Sequence, residues 1–254
     1  MLCGTLLARY PLRVRLLTHN VYWFQGSPSR WGAERVAAVD EVFGGLADLY
    51  ARAAADVIAL QEVHDPALVA RLAATLNLTA CHHAPGGQRP DYGGALLARP
   101  RGAFTDHTTA PGHTHERCHH RVAVGDPPLH VANVHLPSNR RAASPAEGDG
   151  LRRAELDRVL ATSPPPDVVM GDFNATPDSP PYRAMLEAGY IDTAAALDAP
   201  APTWRSRIDY IWLHERHRPR LRGYACLDTG DFHRTGDDTP WRLSDHPPIM
   251  IELA

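Results

Sequence analysis

The stretch Asp167-Val-Val-Met-Gly-Asp-Phe-Asn174 is a short apolar run that ends abruptly in a carboxylate and an amide. Pro164-Pro-Pro166 precedes it and Gly171 closes it, so Asp167 to Gly171 reads as a buried strand rather than a helix segment. A charged side chain at the end of such a strand is costly unless it is paired or bound to metal. The same arrangement recurs in both directions along the chain. Asn20 follows the strand-like Val14 to Thr18, and Glu62 follows Val57-Ile-Ala-Leu-Gln61. His135 closes Leu129 to Leu136, a firmer strand, Asp209 lies within Ile208 to Leu213, and Asp245-His246 precedes Pro248 to Leu253. Six such places imply strand ends that converge on one site.

Helical patterns lie between these strands. Val36, Val39, Phe43, Leu46 and Tyr50 recur three or four apart and predict a helix over 33–55. Asp65-Pro66 is an N-cap followed by proline at the first helical position, before Leu68, Leu72 and Leu76. Tyr92 to Ala98 and Arg121 to Val124 read as strands, 137–150 as a Pro/Ser/Gly-rich loop and 151–160 as a helix. A further helix over 179–188 is placed to end at Gly189. Strands interspersed with helices, without repeat or linker, predict one α/β or α+β domain over 1–254 whose sheets are covered by helices.

Composition narrows the classes. The chain has 254 residues, 44% apolar and 22% charged, which excludes a disordered or fibrous protein. No stretch approaches the ~20 apolar residues of a membrane span. With 26 basic and 29 acidic residues the net charge is −3, which argues against a protein that coats long nucleic acid. All the basic residues are Arg, so Lys-dependent chemistry is excluded. Cys3, Cys81, Cys118 and Cys226 are too few and too scattered for a disulfide scaffold. Met1 to Tyr10 lacks the basic segment of a secretory signal, so the expected location is cytoplasmic.

Glu62, Asp172, Asp245 and Asn20 are hard oxygen donors, suited to Mg²⁺ or Mn²⁺. With histidines beside them, such a set suits a phosphate ester: the ion neutralises a phosphoryl oxygen, a carboxylate aligns water and imidazole binds the phosphate. Taken singly, each residue has an ordinary explanation. Glu after a strand is usually a solvated turn residue, Asn20 and Gly171-Asp-Phe-Asn174 are turn formers, and His135 is a satisfied core histidine. Their order is what independent explanations do not account for.

Thr18-His-Asn20, Leu60-Gln-Glu62, Asn133-Val-His135-Leu136, Gly171-Asp-Phe-Asn174, Arg207-Ile-Asp209-Tyr210 and Ser244-Asp-His246 together resemble the successive motifs of the endonuclease/exonuclease/phosphatase family, the deoxyribonuclease I-like superfamily. The resemblance spans residues 14–252 and implies a four-layer α/β (α+β) sandwich, two packed mixed β-sheets flanked by helices. It implies Glu62 as principal metal ligand with Asn20 beside it and Asp245 supporting. Asp172 is implied to orient or deprotonate water, Asn174 and His135 to contact phosphate, and Asp209 to hold His246 in its charged form. Tyr22 and His135 differ from the abasic-site endonuclease branch, which usually has an acidic residue and a Tyr there.

Some residues remain open between two explanations. Tyr22 is either a stacking platform for a base or ring, or packing. Arg205 and Arg207 are either a phosphate-binding rim or surface ion pairs, and for Arg152 and Arg153 the ion pair leads. Cys81-His82-His83 and Cys118-His119-His120 repeat a tripeptide that suits zinc in type but not in spacing, since neighbours on a strand face opposite ways. The His-rich segment 105–117 either joins them or borders the substrate. The expected activity is metal-dependent hydrolysis of a nucleotide or small phosphorylated metabolite. The alternative is an endo- or exonuclease acting on DNA or RNA. A binding protein without activity is disfavoured because every expected polar position is filled.

Overall fold

A computed structural model describes residues 13–27, 37–78, 80–99, 103–235 and 240–254. Met1 to Tyr10, Cys3 and the first turn of the helix expected from Ala33 lie outside the described residues. The strands are β1 (Val14–Asn20), β2 (Val57–Gln61), β3 (Ala80–Ala84), β4 (Gly94–Ala98), β5 (Ala103–Asp106), β6 (Thr109–Ala110), β7 (His113–Thr114) and β8 (Cys118–Val124). They continue with β9 (Leu129–His135), β10 (Val168–Asp172), β11 (Tyr190–Asp192), β12 (Asp209–His214), β13 (Leu221–Cys226), β14 (His233–Arg234), β15 (Trp241–Arg242) and β16 (Ile249–Leu253). Helices are α1 (Asp40–Ala53), α2 (Pro66–Thr75), α3 (Pro145–Leu160), α4 (Pro180–Glu187) and α5 (Thr193–Ala196).

Two mixed six-stranded sheets form, ordered β13-β16-β1-β2-β4-β3 and β11-β12-β10-β9-β8-β5. Three apolar clusters fix how they stack. Leu16, Val57 and Leu96 of the first sheet meet Val131, Met170 and Ile211 of the second. On the outer face of the first sheet, Leu17, Ile58 and Leu97 pack against Phe43, Leu46 and Tyr50 of α1 and Leu72 of α2. On the outer face of the second, Val134, Val169 and Trp212 pack against Leu156 and Val159 of α3 and Met185 of α4. Alternate residues of each strand therefore enter different clusters, and the result is the helix–sheet–sheet–helix sandwich. Every residue of β2, β4 and β10 is buried, which is why these strands read as unbroken apolar runs rather than alternating ones. Among the described residues no helix is long and apolar enough to cross a membrane.

Several boundaries differ from expectation. The first helix begins only at Asp40, where Asp40 and Glu41 complement the helix dipole, and ends at Ala54 in the left-handed conformation. The helix expected from Leu151 begins at Pro145. Ser144 accepts the Glu147 N–H at 3.2 Å and Pro145 occupies the first turn, a start signal obscured by Gly148 and Gly150. The strands β3, β5 and β13 are edge or near-edge strands of polar or interrupted sequence, and β13 carries a bulge between Leu221 and Gly223. Their apolar pattern is correspondingly weak. The cap at Asp65, which accepts from Ala67 N at 2.8 Å, matches the sequence reading, as does Gly189 at φ 82° after α4.

Buried imidazoles make the fold acid-sensitive. Burial pushes His19 down to about 3 against the pull of its bond to the His246 carbonyl. It also pushes His120 down to about 3, against Asp106. Below the unfolded value of 6.5 the unfolded chain takes up protons that these folded rings refuse. The part of the stability that each ring controls should be full above about pH 6.5 and fall towards pH 3, by at most about 1.4 kcal/mol per pH unit. The raised carboxyls of Glu62 and Asp209 act in the opposite sense over the same range, so the test compares the change in urea midpoint between pH 7 and pH 5 in the wild type and in His120→Gln; an equal change in both would show that the His120 ring charges inside the fold.

Candidate active site

Pairing register brings the polar strand ends to one level. In the second sheet Asp172 stands opposite Asp209 on one side and His135 on the other. In the first sheet Asn20 stands opposite Gln61, with Glu62 next along the chain. Across the sandwich Asn20 Nδ2 donates to Asp172 Oδ2 at 3.1 Å, joining the two sheets at the site. Below it, Gln61 Nε2 donates to Asn133 Oδ1 at 2.7 Å and to Thr18 Oγ1 at 2.9 Å, and Asn133 Nδ2 donates to the carbonyls of Leu60 and Ala95. These amides make a buried polar floor.

Asp172 takes a backbone or side-chain hydrogen bond on each oxygen while lining the cleft. Asn174 N donates to Oδ1 at 2.8 Å, and His135 Nε2 lies 3.2 Å from Oδ2. Although burial opposes its charge, His135, His246 and Arg117 hold this carboxyl well below the usual carboxylate range. Glu62 behaves oppositely. Burial pushes it up to about 7, Asp245 nearby adds to the rise, and Arg117 only partly offsets it. Its Oε2 is buried with no hydrogen-bond partner among the described residues. Asp245 is likewise raised by burial, against His246.

His246 Nδ1 lies 2.8 Å from Asp209 Oδ2. Burial disfavours charge on this ring, but Asp209, Asp172 and Asp245 raise it to about 10, while burial raises Asp209 to about 6. At neutral pH the pair is therefore imidazolium and carboxylate. Two further groups aim it. Thr203 Oγ1 accepts from Asp209 N at 3.0 Å. His19 Nε2 lies 2.6 Å from the His246 carbonyl, and Nδ1 lies 2.5 Å from the Tyr50 hydroxyl. A carbonyl only accepts, so Nε2 carries the proton and the Tyr50 hydroxyl donates to Nδ1. Asp172, Asp209 and His246 present donor atoms within 4.8 Å of one another.

A cleft of about 660 Å³ opens over this constellation. Asn20, Tyr22, Glu62, Asp172, Asn174, Asp245 and His246 line it. Three expected residues sit elsewhere. His135 is fully buried and does not line the cleft; its ring is held down to about 4 by burial and by Arg117, against Asp172. Its Nε2, which accepts from Arg117, lies beside Asp172 rather than on the cleft wall. Arg207 is also turned away: its guanidinium lies 2.6 Å from Asp192 Oδ2 and over the Tyr210 ring, a buried structural pair. Arg205 is exposed and stacks on Trp204, which lines the cleft, so it belongs to the rim at one remove.

Arg117, rather than Arg205 or Arg207, brings its guanidinium to the cleft. It is buried, hydrogen-bonded to the His135 ring, stacked on Tyr92 and part of the cleft lining. The sequence signal was the segment 105–117 read as a possible substrate border; nothing singled out its last residue. Arg140 also lines the cleft, whereas Arg152 and Arg153 make ion pairs with Asp149 and Asp157.

Residues 17–246 match the Endonuclease/Exonuclease/phosphatase family, and the chain belongs to it. No curated protein matches it by sequence. Solved structures of the same fold include a humanized D. rerio TDP2, 18% identical, covering 96% of this chain and 100% of that one, with TM-score 0.70. Others are the Bacteroides thetaiotaomicron mannosyl-6-phosphatase, 16% identical over 95% and 99%, TM-score 0.66, and the Neisseria 3′ phosphatase NExo, 19% identical over 95% and 99%, TM-score 0.62.

Two outcomes follow from this geometry. His246→Ala and Asp209→Ala should each lower kcat by about 10²-fold or more, and the double variant should be little worse, because the pair acts as one unit. Additive losses in kcat would separate the two groups. Arg207→Ala should lower the thermal midpoint, since breaking a buried ion pair costs about 3–5 kcal/mol, and leave KM unchanged. A raised KM at an unchanged midpoint would return Arg207 to the substrate.

Proposed function

We propose that the chain is a Mg²⁺- or Mn²⁺-dependent phosphoesterase that hydrolyses a nucleotide or small phosphorylated metabolite by attack of water. The observation that carries this reading is Glu62: a buried carboxylate with an unpartnered oxygen, destabilised by Asp245 beside it. A hard cation held by Glu62, Asn20 and Asp245 satisfies that oxygen and removes the repulsion. Charge supports one divalent ion. Glu62, Asp172, Asp209 and Asp245 carry four negative charges when ionised, Arg117 and charged His246 carry two positive ones, and His135 is neutral.

The bound ion supplies charge neutralisation at a phosphoryl oxygen. Asp172 keeps its own charge and points at the cleft, so it accepts a hydrogen bond from water and orients the attack. Its lowered proton affinity favours orientation over proton removal. His246 presents its imidazolium to a phosphate oxygen while Asp209 fixes the ring, and Arg117 binds a second oxygen. Asn174, whose N–H caps Asp172, donates through Nδ2 to the Leu136 carbonyl at 3.1 Å, so it acts on the carboxylate first.

Cleft size and charge favour a compact substrate. Two arginines line a cleft of ligand dimensions, enough for one phosphate group rather than a long phosphate track. Tyr22, Trp23, Tyr92 and Trp204 add flat surfaces for a base or sugar ring. The second reading, a nuclease, is favoured by Trp204: exposed at the rim with Arg205 over its ring at 4.9 Å, it suits stacking of an unpaired base.

Phosphate release from a panel of phosphorylated metabolites and nucleotides, beside nicking of plasmid and digestion of single strands, separates the two readings. Activity should require Mg²⁺ or Mn²⁺ and vanish with chelator. Glu62→Gln should raise the metal concentration for half-activity by at least about tenfold, the scale of losing one charged metal contact. Full activity in excess chelator would overturn the metal assignment.

A further inference from the structure

A second group of metal-ligating side chains lies outside the cleft. β6 and β7 form a two-stranded hairpin, and His113 on β7 is followed two places later by His115. In extended chain such neighbours share a face, the spacing with which two imidazoles chelate one ion. Opposite them stands Glu155, from the middle of α3. Donor atoms of His113, His115 and Glu155 all lie within 4.8 Å of one another. His115 and Glu155 are buried and His113 is half-buried. His115 Nδ1 is 3.2 Å from Glu155 Oε2, and the other carboxylate oxygen accepts from Glu116 N at 2.6 Å, which fixes the carboxylate's direction.

The surroundings are rich in imidazole and poor in partners. The His113 and His115 rings lie 4.7 Å apart, His119 is 5.1 Å from His115, and His107 stacks on His119 at 5.0 Å. His113 Nε2 and both ring nitrogens of His119 are buried without a hydrogen-bond partner among the described residues, and Glu155 Oε2 has only the His115 ring beside it. A carboxylate facing several imidazoles, with buried ring nitrogens left bare, is a set of lone pairs for which the described residues supply no partner.

The repeated Cys-His-His tripeptides do not form this group. Cys81 is exposed, while His82 and His120 meet across the sandwich at 5.1 Å beside the exposed Asp106. His119 points out of the other face of β8, towards His115. Strand alternation splits each tripeptide between two environments.

We propose that His113, His115 and Glu155 bind a zinc ion and so clamp the 107–117 segment to α3. Two imidazoles and a carboxylate are a zinc donor set, and the remaining position falls to water or to His119 behind His115. A tetrahedral ion needs its ligand atoms roughly 3.3 Å apart; His115 Nδ1 and Glu155 Oε2 are already at 3.2 Å, and the His113 donor lies within 4.8 Å of both. The consequence reaches the cleft through the chain. His115 is two residues from Arg117, and the intervening Glu116 N–H is held by the same Glu155. Zinc therefore fixes the segment that delivers Arg117 to the cleft, and the ion is structural, at a distance from the hydrolytic site.

The experiment uses the full chain, stripped of metal and dialysed against Zn²⁺ with excess Mg²⁺ to occupy the cleft. Wild type should retain one zinc per chain, show a higher thermal midpoint with zinc, and exchange amides of 107–117 more slowly. His113→Asn and Glu155→Gln should weaken zinc binding at least tenfold and lose the thermal shift. Glu62→Gln and Asp106→Asn should keep both. No retained zinc, zinc kept in His113→Asn and Glu155→Gln, or zinc lost instead in Glu62→Gln or Asp106→Asn would each overturn the proposal. If either ligand variant fails to fold, Co²⁺ bound to the wild type decides: a visible spectrum of four-coordinate cobalt supports the site and its absence rejects it. None of these readouts uses turnover, so they stand or fall separately from the phosphoesterase reading.

Discussion

The rest of the site depends on where β10 stops. Its last residue, Asp172, is flanked by His135 on a parallel neighbour and by Asp209 on an antiparallel one, all in one row. A slip of one residue in either pairing would turn Asp172 to the opposite face of the sheet. Gly171 makes the register tight. Its φ is 142°, and a Cβ there would lie 1.9 Å from the Val134 carbonyl oxygen, so only glycine lets β10 lie this close to β9. The charged row is thus placed by backbone packing, and the carboxylates inherit their positions from it.

Placing anions in a row at the end of a dry sandwich creates the electrostatics that the chemistry uses. The apolar layer between the sheets fixes their separation, and the amides of Gln61 and Asn133 pin it just beneath the site. Asp172 is matched by donors and stays charged. Glu62, in the same cleft, is buried and only partly matched by Arg117, His246 and Asn20, and its proton affinity rises. The contrast sets the proton affinities of chemically similar groups apart. His246 gains its charge from the anions around it. Its ring is aimed from two sides, by Asp209 at Nδ1 and by His19 at the backbone carbonyl.

Much of this was legible in the sequence, for a physical reason. Central strands carry compact apolar stretches, unbroken over Val57–Leu60 of β2 and Val168–Met170 of β10 and interrupted by Arg15 in β1 and by His130 and Asn133 in β9, so these strands, β12 and the polar residues at their ends stand out. Asn20, Glu62, Asp172, Asn174, Asp209, Asp245 and His246 are brought together as their order suggested. Edge strands such as β3 and β13 leave no such pattern. Arginines were the least legible, because a guanidinium on a long stem is placed by its tertiary partner. Arg207 sits one residue from an active-site strand yet turns to Asp192, whereas Arg117, in a loop of no clear pattern, reaches the cleft across Tyr92. The role of His19 was hidden too: a histidine one place before Asn20 shows nothing of Tyr50 or the His246 carbonyl.

Backbone strain falls where the strands end. Glu62 has φ 59° and Asn174 φ 49°, and Tyr22, Trp23 and Phe24 all have positive φ. Each costs about 1 kcal/mol or more for a side-chain-bearing residue, and for aromatic residues in succession the cost recurs. A strand that simply continued would send alternate side chains to opposite faces. The left-handed turn at Glu62 breaks that alternation immediately after Gln61, so Gln61 can face the interior amides while Glu62 faces the cleft. At Asn174 the same conformation folds the backbone N–H back onto Asp172 Oδ1. Around Tyr22 it closes the chain over Asn20, whose side-chain oxygen accepts the Tyr22 N–H at 3.1 Å. The three apolar clusters of the sandwich supply the stability that holds these conformations. Ala54, Asn77, Asp178 and Asp198 are also left-handed and lie away from the cleft, but at Glu62, Asn174 and Tyr22 the conformation decides the direction of one side chain or one N–H at the site.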